Sequence, residues 1–410
     1  MSCAPWVNIQ MKDQIVIVSG ARTAIGKFGG SLKDFEASDL GAIAIRAALE
    51  RVQLAPDQID EVVMGCVGTA AENAFMARLC SVKAGIPYEA GAQTVNRLCS
   101  SGLQAIVTAA MEIECGFAER VVAGGAESMT NIPFYLRHAR FGYRLSNGKL
   151  EDGLLTALAD PFQGYQMGIT AENIAERYGI TRADQDAYAV QSQKRAAAAR
   201  AAGLFRDEIV PVEVKVGKKQ TAVFDSDEFI REDSSVEALS KLRPAFKENG
   251  TVTAGNSSGI NDGGAAVVMM RKEDALARGL RPIVRFVDAA VAGVDPAYMG
   301  TGPIPAIRKL LQKTGLSAAD VGLYELNEAF AAQALVCIRE LGLDMDTVNV
   351  NGSGISIGHP IGCTGAMITI KLMNEMMRRH VRYGIASLCI GGGQGLAVLF
   401  ELCGENETPE

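Results

Sequence analysis

Two cysteines and one histidine stand out for what surrounds them. Cys99 lies in Thr94-Val95-Asn96-Arg97-Leu98-Cys99-Ser100-Ser101-Gly102-Leu103-Gln104, which reads as a strand end, a sharp turn and a helix start. Ser100 and Ser101 are suited to cap that helix through their hydroxyls. Leu103, Ile106, Val107 and Ala110 recur at helical spacing, so one face is expected to be buried. Just before the first turn, unpaired N–H groups and the positive end of the helix dipole favour thiolate over thiol. A cysteine on such an elbow is a candidate nucleophile. The plain alternative is a small buried cysteine without chemistry. Of the three histidines, His138, His359 and His380, only His359 sits in a glycine-dense loop, Asn351 to Gly362. A cysteine nucleophile needs a base, and histidine is the usual one. Cys389, beside Gly391, Gly392 and Gly393, adds a second titratable thiol and free backbone donors.

With those stretches in view the chain resembles the thiolase family of acyl-CoA acyltransferases along nearly its whole length. The resemblance is carried by Val95–Gln104, Gly124–Asn131, Lys241–Gly263, Asn327–Gln333, Asn351–Ala366 and Cys389–Gly395. Asn96-Arg97-Leu98-Cys99 and Asn351-Gly352-Ser353-Gly354-Ile355-Ser356 are most similar to bacterial broad-range β-ketothiolases. The resemblance implies that Cys99 takes the acyl group as a thioester and that His359 accepts its proton. Cys389 then acts as acid and base on the α-carbon of the second acyl-CoA. Asn327, in Asn327-Glu328-Ala329-Phe330, is implied to form one oxyanion hole through a water, together with His359. The N–H groups of Cys99 and Gly391 form the other. A helix N-cap is a second role open to Asn327, compatible with the first. For coenzyme A the resemblance implies Ser258 near the pantetheine and Arg231 by the nucleotide phosphates. Phe246, Met167, Leu154 and Phe330 line the pantetheine or acyl pocket. Each of these four could equally be core. The family commonly has histidine where this chain has Gln166, which bears on pantetheine recognition and not on the chemistry.

The elements that must hold these residues follow from length and pattern. At 410 residues the chain exceeds one ordinary core, so two or more domains are expected. Hydrophobic residues make up 48% and charged residues 21%, which suits a compact fold and not a disordered one. A net charge of −7 argues against a nucleic-acid partner. It also requires a local basic patch if anionic coenzyme A is to bind. Nine cysteines without a C-x-x-C pair read as reduced thiols in a cytoplasmic compartment, and the histidines are too few for a zinc site. Met1 to Gln10 does not read as a signal or transit peptide, Met11 could be an alternative start, and Glu407–Glu410 is not a peroxisomal address. No apolar stretch reaches membrane-spanning length.

Ile15–Val18 and Val121–Gly125 read as buried strands, with a helix from Leu40 to Arg51 and another strand ending at Gly65. Strands alternating with helices predict a largely parallel sheet. The pattern then repeats. Leu54 to Gly65 and Leu316 to Asn327 each span 11 residues at an offset of 262, which carries Cys99 into the His359 loop. Two similar α/β halves facing one shared site are therefore expected. The resemblance agrees, since it implies a five-layer αβαβα core with an inserted loop domain. The expected division is 1–131 with 259–281, then 132–258 as the insert, then 282–410. The insert contains an acid-free basic run, Asn131 to Leu150, and helical stretches at Glu172–Tyr178 and Asp184–Ala202. It is implied to cover CoA and to help assemble a homotetramer, a dimer of dimers; a solvated or subunit-contact surface accounts for the basic run equally well.

The expected activity is that of an acyl-CoA C-acyltransferase, 2 acyl-CoA ⇌ 3-oxoacyl-CoA + CoA, with CoA as substrate and no metal or redox cofactor. Two other readings stay open. A ketoacyl-synthase-type condensing enzyme shares the two-half architecture, but Cys389 and Gly358-His359-Pro360-Ile361-Gly362 argue against it. A non-catalytic thiolase-like lipid carrier would be expected to lack one of Cys99, Asn327, His359 or Cys389, and all four are present.

Overall fold

The computed structural model describes residues 14–145 and 147–404. The amino-terminal stretch with Met11, and Glu407–Glu410, lie outside the described residues. Nine strands form the path of one large mixed sheet: β1 (Ile15–Thr23), β2 (Glu61–Gly65), β3 (Gly91–Val95), β4 (Arg120–Ser128), β5 (Asn261–Arg271), β6 (Val284–Gly293), β7 (Leu323–Leu326), β8 (Tyr383–Ile390) and β9 (Gln394–Leu402). Their order is β7-β8-β9-β6-β1-β5-β4-β2-β3. The main helices are α1 (Ala37–Arg51), α2 (Met76–Lys83), α3 (Ser101–Glu114), α4 (Met167–Tyr178), α5 (Arg182–Ala201), α6 (Pro303–Thr314), α7 (Ala331–Leu341) and α8 (Thr364–Arg379).

The duplication is visible in the topology. One half runs β1-β5-β4-β2-β3, and the other runs β6-β9-β8-β7 with a bridge from Tyr324 to Val348 in the place of β3. β2 and β7 begin 262 residues apart (323 − 61). The halves join where β1 pairs with β6 over only Val16↔Arg285 and Ile17↔Val284. Helices α3 and α8 pack on each other between the two halves of the sheet. α1, with α2 beside it, covers the outer face of one half, and α6, with α7 beside it, covers the other. This is the five-layer αβαβα arrangement.

The sheet is not largely parallel. β2 pairs in parallel with β3 and β4, and β7 with β8. The centre is antiparallel: β1 with β5 and β6, β5 with β4, and β9 with β6 and β8. The reason is the return strands β5 and β9. β9 follows β8 through the Gly391–Gly393 turn, where Gly392 and Gly393 have φ of 79° and 85°, and so tight a hairpin makes its strands antiparallel.

Strand β1 is buried throughout, as its apolar run requires. The helix read from Glu172 begins earlier, at Met167, and the next begins at Arg182, where Thr181 and Asp184 form a reciprocal capping box. The stretch 132–258 is tied to β1 by a buried ion cluster. The Arg22 guanidinium meets Glu208 at 2.9 Å and Asp227 at 2.8 Å, with all three side chains closed to solvent.

Candidate active site

Cys99 stands on the turn between β3 and α3. The turn is tight enough to put Leu98 at φ 47°, a left-handed conformation that costs a branched residue roughly 1–2 kcal/mol. Hydrogen bonds hold it there. Leu98 N donates to Asn96 Oδ1 at 2.9 Å, Arg97 N donates to Ser101 Oγ at 3.0 Å, and Ser101 Oγ donates to the Leu98 carbonyl at 2.6 Å. The two serines therefore do not cap the helix as expected. Ser100 occupies the cap position without a side-chain bond, and the Ser101 hydroxyl clasps the elbow itself.

The His359 loop reaches this turn through glycine contacts. A Cβ on Gly102 would stand 2.9 Å from the Gly362 carbonyl oxygen, and one on Gly125 only 2.0 Å from it. Glu127 adds a polar clamp. Its buried carboxylate accepts Val67 N, Gly68 N and Gly362 N, each at 2.9 Å, joining loops of both halves. His359 N donates to Asn261 Oδ1 at 2.9 Å, and its Nδ1 lies 2.6 Å from Thr364 Oγ1. The Asn327 amide nitrogen lies 3.4 Å from His359 Nε2. Asn327 Oδ1 is buried with no hydrogen-bond partner among the described residues. Asn327 is not a helix cap: α7 starts at Ala331 with Phe330 in the cap position.

A cavity of about 510 Å³ opens over these loops. Cys99, His359, Gly391, Met167, Phe246, Phe330, Ser258 and Arg231 all border it. Two expected residues do not face it in the same way. Leu154 is buried in the apolar cluster behind Cys99, while its neighbour Leu155 borders the cavity. Cys389 is fully buried in a cluster with Met299, Phe330, Met167 and Phe246, one layer below the surface of the cavity. Gln166 borders the cavity and donates through Nε2 to the Leu155 carbonyl at 3.1 Å. Lys27 and Phe28, at the cavity rim, were not found from sequence. Their turn is held by Glu228, which accepts Lys27 N at 2.9 Å, and they lie near Arg231, whose guanidinium stacks 4.9 Å from the Phe229 ring centre. Among the described residues, Lys27 and Arg231 are the only cations on the cavity and no carboxylate lines it. Lys27 Nζ lies 3.9 Å from Glu228 Oε1, a carboxylate just off the cavity that offsets part of this positive charge.

The electrostatics differ from the expectation at Cys99. Burial pushes its thiol up, and the N–H groups of Gly391 and of Cys99 itself pull the other way without overcoming that cost. Burial lowers the imidazole of His359 to about 4. Burial, with Cys99 and Cys337 nearby, pushes the Cys389 thiol far up. These directions favour two thiols and a neutral imidazole over a standing thiolate–imidazolium pair. A neutral base beside a thiol works by taking its proton during attack, not by stabilising a standing ion pair. The Gly391 N–H meets the Cys99 sulfur.

Comparison with known proteins extends over both halves. Residues 15–273 match the thiolase N-terminal domain and residues 280–402 the thiolase C-terminal domain. Beta-ketothiolase BktB of Cupriavidus necator is 51% identical over 95% of this chain and 100% of its own length. An acetyl-CoA acetyltransferase of Allochromatium vinosum is 49% identical over 95% and 100%. Human mitochondrial 3-ketoacyl-CoA thiolase superposes with a TM-score of 0.93 at 44% identity, covering 95% of this chain and 99% of that one. The same human enzyme in complex with CoA superposes with a TM-score of 0.92 at 44% identity, covering 96% and 99%. With each half matched by its own domain and the relatives aligned from end to end, this chain belongs to the thiolase family.

Proposed function

We propose that Cys99, His359, Cys389, Asn327 and Gly391 divide the thiolase reaction between them. The chain is an acyl-CoA C-acyltransferase: it condenses two acyl-CoA molecules to a 3-oxoacyl-CoA and CoA, and runs the reverse thiolysis, through an acyl-cysteine. In the first half-reaction Cys99 Sγ attacks the thioester carbon while its proton passes to His359. The carbonyl oxygen gains charge and is met by the N–H groups of Cys99 and Gly391. The C–S bond to CoA breaks, and the proton on His359 goes to the departing sulfur. In the second half-reaction the Cys389 thiol first gives its own proton to solvent; as thiolate it takes the α-proton of a second acyl-CoA, and the enolate oxygen develops beside His359 and Asn327. The enolate carbon attacks the acyl carbon on Cys99, the C–S bond to Cys99 breaks, and the released sulfur takes a proton from solvent to restore its thiol. In thiolysis Cys389 returns the proton to the carbanion.

One observation carries this assignment: Cys99 and His359 border one apolar cavity, with the Gly391 N–H on the Cys99 sulfur and the Cys389 thiol buried nearby. Coenzyme A and its thioesters are the proposed ligands. The complex of human mitochondrial 3-ketoacyl-CoA thiolase with CoA supports this, as do the cations Lys27 and Arg231 at the cavity. Ser258, Met167, Phe246 and Phe330 would contact the pantetheine or acyl chain, with Leu154 supporting the wall from behind.

The proposed units are 1–131 with 259–281, the insert 132–258, and 282–410. The proposed assembly is a homotetramer. Its support is the exposed apolar set of Phe134, Leu136, Phe141, Leu145 and Leu150 in the insert, and deletion of Leu136–Arg144 should lower the native mass measured by light scattering. A cytoplasmic location is supported by the free thiols Cys66, Cys80, Cys99, Cys337, Cys363 and Cys389. Among the described residues no helix is long and apolar enough to cross a membrane. The deciding experiment is kcat/KM for thiolysis across 3-oxoacyl-CoA chain lengths, wild type against Cys99→Ala. Loss of all cleavage in a folded Cys99→Ala protein is expected; retained cleavage would refute the assignment.

A further inference from the structure

We propose that Thr364 holds His359 in the tautomer protonated on Nδ1, so that Nε2 is left bare as the acceptor for the Cys99 proton. The proposal rests on the reading of His359 as the base for Cys99. Thr364 is the first residue of α8 and is fully buried. Its Oγ1 lies between two polar atoms, 2.6 Å from His359 Nδ1 and 2.8 Å from the Pro360 carbonyl oxygen.

A hydroxyl has one proton to give and two lone pairs with which to accept. A carbonyl oxygen only accepts. If the Thr364 proton turned to His359, two acceptor oxygens would face each other at 2.8 Å with no proton between them. If it turns to Pro360, both contacts are satisfied, provided that Nδ1 carries hydrogen and donates to Oγ1. A neutral imidazole has a single N–H, so Nε2 then bears the lone pair. The partner of one ring nitrogen decides which proton the other has. The Asn327 amide nitrogen lies 3.4 Å from Nε2 and 3.5 Å from Nδ1, so the choice of tautomer falls to Thr364.

The choice of a hydroxyl over a carboxylate has a further consequence. A carboxylate at this place would hold a standing imidazolium. Thr364 adds no charge, and the positive end of α8 disfavours a cation on the same loop. His359 therefore stays neutral between turnovers, and after taking the Cys99 proton it readily returns it to the departing CoA sulfur. Thr364 touches no reacting atom in this scheme. It is a positioning residue.

The test uses full-length protein carrying ¹⁵N-histidine, as wild type, Thr364→Ser and Thr364→Val. The ¹⁵N spectrum should show His359 protonated on Nδ1 in the wild type and in Thr364→Ser, and no longer uniquely so in Thr364→Val. Exchange of labelled CoA into acetyl-CoA should lose kcat by about 10–100-fold in Thr364→Val, the usual worth of such an outer partner, with KM little changed. Thr364→Ser should stay within a few-fold of wild type. A wild-type His359 protonated on Nε2 would overturn the proposal, and that result needs no variant to fold. An undiminished kcat in Thr364→Val, or an equal loss in Thr364→Ser, would overturn it too. His359→Gln separates the two levels. Undiminished exchange in that variant would refute His359 as base, whatever tautomer the wild type holds.

Discussion

Gly365 packs directly on the backbone of Leu103: a Cβ built on Gly365 would stand 2.1 Å from the Leu103 nitrogen. This is the crossing of α3 and α8, the helices that follow the proposed nucleophile and base. Cys99 precedes α3 by two residues, and His359 precedes α8 by five. Gly365→Ala must push backbone from backbone, since no flexible side chain is there to give way. We expect a stability loss of about 1–3 kcal/mol from overpacking. A shift of about 1 Å between nucleophile and base should cost a further 10²-fold in kcat/KM. Gly217→Ala, with only the Gln220 side chain 4.0 Å away, is the control and should change neither. Denaturant melts and thiolysis kinetics on both variants check this. Wild-type kinetics in Gly365→Ala would show that the helix crossing does not set the site.

The depressed imidazole of His359 makes a prediction about pH. Its ordinary value is 6.5, and burial lowers it to about 4 in the folded chain. Between those values the unfolded chain binds a proton that the folded chain does not, so stability falls as pH falls. The contribution is complete above pH 6.5 and is lost progressively down to about pH 4. His359→Gln removes this titration. The variant should therefore show a shallower decline of unfolding free energy across that window than the wild type, measured by urea titration at each pH. Parallel curves for the two proteins would mean that the folded imidazole titrates normally.

Arg22 is one polar anchor of the stretch 132–258, beside the buried Ser192–Glu328 and Gln193–Ile355 contacts. Arg22→Ala would leave Glu208 and Asp227 buried near β1 without their cation. Removing one partner of a buried ion pair costs roughly 3–5 kcal/mol. Arg22→Lys keeps the charge but gives up the planar fork that meets both oxygens of Asp227, at 2.8 and 3.0 Å, and should recover only part of the loss. Thermal melts of the three proteins order them as wild type, lysine, alanine. Equal melting temperatures for alanine and wild type would show that the cluster contributes no net stability.

Sequence reading went furthest where a signal is local. The Cys99 turn, the His359 loop, Asn327-Glu328-Ala329-Phe330 and Cys389–Gly395 are each contiguous, and the structure brings all four together. The repeat was legible because an offset of 262 can be counted. The antiparallel centre was not. It depends on β5 and β9 returning beside strands far away in sequence, and an apolar run does not announce its partner or its direction. At Cys99 two effects oppose each other. A helix N-terminus is visible in sequence, while the desolvation that opposes it comes from packing against distant segments, among them Val67, Met129, Leu154 and Ile361. Leu154 and Leu155 differ only in which way one turn of helix faces. Lys27 and Phe28 follow β1 with nothing in sequence to link them to Arg231.

The two thiols should be separable by experiment. In the proposed division of roles, acyl transfer from acyl-CoA to Cys99 needs His359 to take a proton and N–H groups to hold the oxygen. It does not need a thiol at Cys389. Under the same proposal carbon–carbon cleavage does, because a carbanion-like carbon must gain a proton, and burial favours the thiol form of Cys389 that would give it. Cys389→Ala should therefore keep measurable exchange of labelled CoA into acetyl-CoA while thiolysis and condensation fall by roughly 10²-fold or more, the usual worth of a positioned acid or base. Cys99→Ala should lose both activities. Cys389 is packed against Phe330 and Met299, so a cavity left by the missing sulfur could disturb Cys99 indirectly. Cys389→Ser is the necessary companion, since it nearly preserves volume while replacing the thiol with a far weaker acid. Equal losses of exchange and thiolysis in both folded variants would show that the two cysteines act as one unit. Thiolysis lost in both, with exchange retained in both, would assign the α-carbon proton to Cys389.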